Sequence, residues 1–149
     1  MSDSTPTSSS RKSKAPKPRV LCVDDEEFIL EGIATNLRKS FKITTAKSGQ
    51  EALDLMEQEE TFPIIISDMR MPGMDGAQFL KQARQVSPDS IRILLTGHAD
   101  LEAAISVVNE GKIFRYLTKP CPVKELKAIL EEAIGQYQKK QVQRDVLMQ

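Results

Sequence analysis

Val20-Leu21-Cys22-Val23-Asp24-Asp25-Glu26 is an unbroken apolar run that ends abruptly in three acids. A strand that is apolar at every position is covered on both faces, which is the pattern of a parallel sheet sandwiched between helices. Ile64-Ile65-Ile66 and Ile93-Leu94-Leu95 read the same way. Ile43-Thr44-Thr45-Ala46 and Ile113-Phe114-Arg115-Tyr116-Leu117 are more mixed and read as strands nearer an edge. Helical spacing fills the intervals. Ile29, Ile33 and Leu37 form one stripe, and Ala52, Leu53 and Met56 a second. Phe79, Leu80, Ala83 and Val86 form a third, closed by Pro88. Leu101, Ala104, Ile105 and Val108 form a fourth with Gly111 as its stop. Val123, Leu126, Leu130, Ala133, Ile134 and Tyr137 form the last. Strand and helix alternate five times, so the expected fold is α/β, an open parallel sheet with helices on both faces.

The rest of the chain bounds what such a domain does. At 149 residues with 40% hydrophobic content it is long enough for one core without disulfide or metal staples. No apolar run is long enough to span a bilayer, and no secretory h-region opens the chain. The two cysteines, Cys22 and Cys121, lie far apart, which fits a reducing cytoplasm. Eleven of the first eighteen residues are Ser, Thr or Pro, so residues 1–18 read as a disordered tail. Residues 1–19 carry five basic groups (Arg11, Lys12, Lys14, Lys17, Arg19) against Asp3, a net +4; the remainder carries 16 basic and 20 acidic groups, a net −4. A mildly acidic domain is a poor match for nucleic-acid phosphates. Residues 138–149 read as a helical extension or linker.

In open α/β sheets, chemistry collects beyond the carboxyl ends of the strands. There the first run delivers Asp24, Asp25 and Glu26, the third Asp68, the fourth Thr96, and the fifth Thr118, Lys119 and Pro120. Each has an ordinary reading alone: the acid triplet as a helix cap, Asp68 as a loop acid, Thr96-Gly97 as a turn, Lys119-Pro120 as a surface loop. Together they point to phosphoryl transfer. Converging carboxylates repel unless a cation intervenes, and a hard oxygen set with open positions suits Mg²⁺. A carboxylate beside it can act as nucleophile toward phosphorus, with Lys119 and Thr96 countering charge on the transferring group.

These residues resemble the receiver domain of two-component response regulators over about residues 19–137. The likeness is carried by Val20 to Glu26, by Ser67-Asp68-Met69-Arg70-Met71-Pro72-Gly73-Met74-Asp75-Gly76, by Leu94-Leu95-Thr96-Gly97 and by Tyr116-Leu117-Thr118-Lys119-Pro120. The resemblance implies a flavodoxin-like (βα)5 fold with strand order 2-1-3-4-5. It implies Asp68 as phosphoacceptor for a sensor histidine kinase or phosphotransfer protein. It implies Mg²⁺ ligation by Asp25 and Asp68, by Asp24 through water and by the Arg70 backbone carbonyl. Lys119 would contact the phosphoryl oxygens from a cis Lys119–Pro120 peptide, and Thr96 and Tyr116 would move together as the switch. Arg70 and His98 occupy positions that tune acyl-phosphate lifetime; the competing readings are pairing of Arg70 with a rim acid and His98 as an exposed turn residue. Tyr116 as core packing likewise stays open.

The expected role is a switch rather than a turnover enzyme. Its output is read on the exposed faces of residues 100–111 and 123–137, which also offer a homodimer contact. A receiver-like scaffold that ignores phosphorylation, and a receiver belonging to a larger enzyme-output regulator, are the alternatives. A haloacid-dehalogenase-type phosphatase would want a second acid where Arg70 stands, and Gly73 and Gly76 have neither glycine-rich nucleotide-loop spacing.

Overall fold

The computed structural model describes residues 16–59, 61–109 and 113–147. Five strands, β1 (Arg19–Val23), β2 (Lys42–Ala46), β3 (Ile64–Asp68), β4 (Ile91–Thr96) and β5 (Arg115–Thr118), form one parallel sheet in the order β2-β1-β3-β4-β5. Five helices alternate with them: α1 (Glu27–Leu37), α2 (Gly49–Gln58), α3 (Gly76–Val86), α4 (Leu101–Asn109) and α5 (Val123–Leu147). This is the flavodoxin-like order expected, with the chain reversing direction across the sheet between β1 and β3.

Successive strand residues face opposite ways, so each central strand feeds two cores. One contains Leu21, Val23, Ile65 and Leu94 with Ala52, Phe79, Leu80 and Ala104 from α2, α3 and α4. The other contains Val20, Cys22, Ile64, Ile66, Ile93 and Leu95 with Leu30, Leu37, Leu126, Leu130 and Ala133 from α1 and α5. The continuous apolar runs are thereby explained: every residue of β3 and β4 is buried. Among the described residues no helix is long and apolar enough to cross a membrane.

Several local expectations are corrected. The last strand starts two residues later than its apolar run. Ile113 is buried in the first core, and the Phe114 N–H donates to the Arg92 carbonyl at 2.9 Å before regular pairing begins at Arg115. On α1 the buried positions are Leu30 and Leu37, with Ile33 only packed against them. Val86, Ile105 and Val123 are exposed although each falls on a helical stripe. Val86 and Val123 are end residues of their helices, and α4 meets the sheet through a narrow face in which, among the described residues, only Ala104 is sealed. The proposed stop at Gly111 and tail residues 1–15 lie outside the described residues. Lys17 and Pro18 are tied to the domain: Lys17 Nζ donates to the Arg38 carbonyl and the Lys42 N–H to Pro18 O, both at 2.8 Å. At the other end, α5 runs on to Leu147, and Arg144 pairs with Asp89 at 2.6 Å.

Candidate functional site

Sheet pairing sets the rim residues in place. Just past β1, the Asp24 N–H donates to the Ala46 carbonyl at 3.1 Å; past β3, Met69 N–H donates to Leu95 O at 2.8 Å; past β5, Lys119 N–H donates to Thr96 O at 2.8 Å. Asp24, Thr96 and Lys119 therefore carry a backbone bond of their own, and Asp25 and Asp68 stand one residue from one, at the edge where the strand order reverses. The Lys119–Pro120 peptide is cis.

Asp24, Asp25 and Asp68 bring carboxylate oxygens within 4.8 Å of one another, with Asp24 and Asp68 buried and Asp25 exposed. Lys119 Nζ reaches Asp68 Oδ1 at 2.8 Å and Asp24 Oδ2 at 3.3 Å. The acid triplet is not used up as a helix cap. Glu26 occupies the N-cap of α1 without a side-chain cap bond, and Asp24 Oδ1 instead accepts from the Glu26 N–H at 2.9 Å.

Electrostatics separate the members of this cluster. Burial raises the Asp68 carboxyl pKa, the Lys119 hydrogen bond lowers it, and the neighbouring Asp24 charge raises it again; the net shift is upward. Burial alone would lower Lys119, but its contacts with Asp68 and Asp24 outweigh that and leave it raised. One ammonium thus serves a crowd of acids without fully neutralising them. Oxygen donors with this spacing and unbalanced charge fit a hard divalent cation, and Asp25 faces the open side where it would enter.

Thr96 is buried, and its hydroxyl donates to the Gly97 carbonyl at 3.1 Å. Tyr116 is half-buried against the first core, opposite Leu94 in the β4–β5 register. His98 is exposed in the short 3-10 turn His98–Asp100. Arg70 grips Asp100 with two bonds, Nε to Oδ2 at 3.0 Å and Nη2 to Oδ1 at 2.6 Å. Those hydrogen bonds hold the Asp100 carboxyl below the ordinary range and raise Arg70. The rim acid named only generically from sequence is therefore Asp100.

Two contributors escaped the sequence reading. Asp100 has no motif and pairs across 30 residues of chain. Gly76 is the second: a Cβ there would stand 2.1 Å from the Asp68 carbonyl oxygen, so its lack of a side chain lets α3 close on the Asp68 backbone. It ends the run Ser67 to Gly76 without a role assigned to it, and the signal available was its position directly after Asp75 and three residues before the third stripe. Asp75 caps α3 reciprocally with Gln78.

The family model of the response regulator receiver domain matches residues 20–131. The DNA-binding transcriptional regulator NtrC of Klebsiella pneumoniae is 40% identical over 126 residues, which is 83% of this chain and 26% of that protein. The chain thus spans about a quarter of the length of the curated relatives it matches. A solved structure described as an adenylate cyclase from Rhodopirellula baltica superposes with a TM-score of 0.87 at 40% identity, covering 89% of this chain and 98% of that one. A response regulator receiver domain protein from Clostridium thermocellum superposes at 0.77 with 32% identity, covering 84% and 98%. Matched in sequence across the whole sheet and in structure by receiver domains, the chain belongs to the response regulator receiver domain family.

Proposed function

We propose that this domain is a phosphorylation-controlled signalling switch in which Asp68 accepts a phosphoryl group from the phosphohistidine of a sensor histidine kinase or phosphotransfer protein. The observation that carries the reading is the convergence of Asp24, Asp25, Asp68 and Lys119, from three strands, at one rim. An Asp68 carboxylate oxygen attacks phosphorus, and the imidazole nitrogen leaves with the P–N electron pair. Lys119, already on Asp68, is in reach of the oxygens of the transferring group, and the Thr96 hydroxyl gives up Gly97 to donate toward them. Mg²⁺, held by Asp25 and Asp68, by Asp24 through water and by the Arg70 carbonyl, would supply the positive charge this acidic cluster lacks.

The message then has to leave the site. Leu94, Thr96, Tyr116 and Thr118 lie on the same sheet face in adjacent register, so a movement of Thr96 is felt by half-buried Tyr116. The readout is the surface of α4, β5 and α5, where partner binding or a homodimer contact changes. A coupling of about 1–3 kcal/mol alters partner affinity about 5- to 150-fold. The domain acts as a switch, and Asp68 is regenerated by hydrolysis.

Incubation with a small phosphodonor and Mg²⁺ tests this by intact mass. An adduct of about 80 Da, labile to base and absent from Asp68→Asn, is expected. An unmodified wild type, or an Asp68→Asn variant that still gains the mass, refutes it.

A further inference from the structure

We propose that Asp100 is a positioning residue that holds Arg70 off Asp68 in the unmodified protein, and that Arg70 exchanges Asp100 for the phosphoryl group once Asp68 carries one, thereby freeing the start of α4. This rests on the reading of Asp68 as phosphoacceptor and adds to it a second route out of the site. Arg70 and Asp100 line the same cleft, of about 550 Å³, as Asp25, Asp68, Gly97 and Lys119. Arg70 follows Asp68 by two residues, so their Cα atoms are at most about 7 Å apart. An arginine side chain spans that distance in either direction.

The two partners differ in freedom. The Arg70 side chain is 76% exposed and that of Asp100 only 20%. Asp100 is also fixed by its backbone, whose N–H donates to the Gly97 carbonyl at 3.1 Å. Arginine is therefore the member that moves. Lys119 is already committed to Asp68 and Asp24, whereas Arg70 reaches Asp100 from a side chain that lies largely in water. A phosphoryl group on Asp68 offers three acceptor oxygens and nearly two negative charges, against two oxygens and one charge on Asp100. The planar guanidinium fork fits both, and the richer acceptor wins.

Exchange has a structural consequence because of where Asp100 sits. It ends the turn His98–Asp100 and immediately precedes Leu101, the first residue of α4. The Arg70 fork is a strap between the loop after β3 and the loop after β4. Cutting it lets the first turn of α4 loosen on the very surface proposed for readout, independently of Thr96 and Tyr116.

Trifluoroberyllate with Mg²⁺, a phosphoryl-shaped probe that needs no kinase, separates the outcomes. Its affinity is read by titration calorimetry and the response of residues 98–104 by amide hydrogen exchange. Asp100→Asn, which leaves no ion pair to break, is expected to bind about two- to fivefold tighter than wild type. Asp100→Glu stays near wild type, and Arg70→Ala binds more weakly. In the Arg70→Ala background Asp100→Asn has no effect. Amides 98–104 exchange faster in wild type when the probe is added, and are already fast in Asp100→Asn without it. An unchanged affinity in Asp100→Asn, a gain that persists without Arg70, or exchange at 98–104 that ignores the probe overturns the proposal. If wild type binds no better than Asp68→Asn, the acceptor reading itself falls, and this inference with it.

Discussion

Gly76→Ala adds a single methyl group where the site has no room for one. The new Cβ would lie 2.1 Å from the Asp68 carbonyl oxygen, 2.9 Å from its carbonyl carbon and 2.9 Å from Met69 Cα. A comfortable carbon–oxygen approach is about 3.3 Å. All three obstacles are backbone, and Gly76 N–H is itself bonded to the Met69 carbonyl at 2.7 Å, so no rotamer change relieves the clash. Overpacking of this kind costs about 3 kcal/mol at the upper end of the usual range. Alanine's better helix propensity at the start of α3 returns at most about 1 kcal/mol. The net expectation is a loss of about 2 kcal/mol or more. With a urea dependence of about 2 kcal/mol per molar, the unfolding midpoint falls by about 1 M. The clash also pushes on Asp68, the proposed acceptor, and a shift of about 1 Å at a reacting group can cost about 100-fold in rate. Urea denaturation followed by circular dichroism gives the first number, and the rate of adduct formation from a small phosphodonor gives the second. Gly135→Ala on α5, where among the described residues nothing beyond its own stretch of helix lies within 4 Å of the added atom, is the control and should gain about 0.5–1 kcal/mol. A Gly76→Ala midpoint at or above wild type, with an unchanged rate, would show that the packing argument is wrong.

Other expectations are more direct. Mg²⁺ at ten times its dissociation constant should stabilise the wild type by about 1.4 kcal/mol in thermal denaturation, and Asp25→Asn should lose most of that gain. Burial, then the nearby Asp24 charge, pushes the Cys22 thiol up to about 12, above its unfolded value of 9.0. Its contribution to stability is therefore full below pH 9 and is lost between pH 9 and 12, at up to about 1.4 kcal/mol per pH unit. A Cys22→Ala variant should lack that slope in denaturation curves taken across the window; parallel curves would contradict it. Phe79→Ala, at a fully buried position in the first core, should cost about 3–5 kcal/mol in the same urea assay.

What the sequence by itself determined is whatever depends on local period and on chain order. Ile64–Ile66 and Ile93–Leu95 read as strands because both faces of the central sheet are buried, which leaves no polar position to obscure the run. The acids, threonine and lysine could be assigned to one rim because parallel strands all end at the same edge. Tertiary structure decided everything that depends on which surfaces meet. Ile105 and Val86 have the right spacing but stay partly exposed, while Leu30, one residue off the expected stripe, is sealed. Asp24 and Asp25 are adjacent in the chain, yet one is 2% exposed and the other open to solvent, because Asp24 is held at the sheet end by Ala46, Glu26 and Lys119 while Asp25 stands in the loop beyond it. Gly76 against the Asp68 carbonyl and Arg70 against Asp100 join residues 8 and 30 positions apart through the packing of loops on the sheet. Distances of that kind are set by how helices seat on strands, and no periodicity along a chain encodes them.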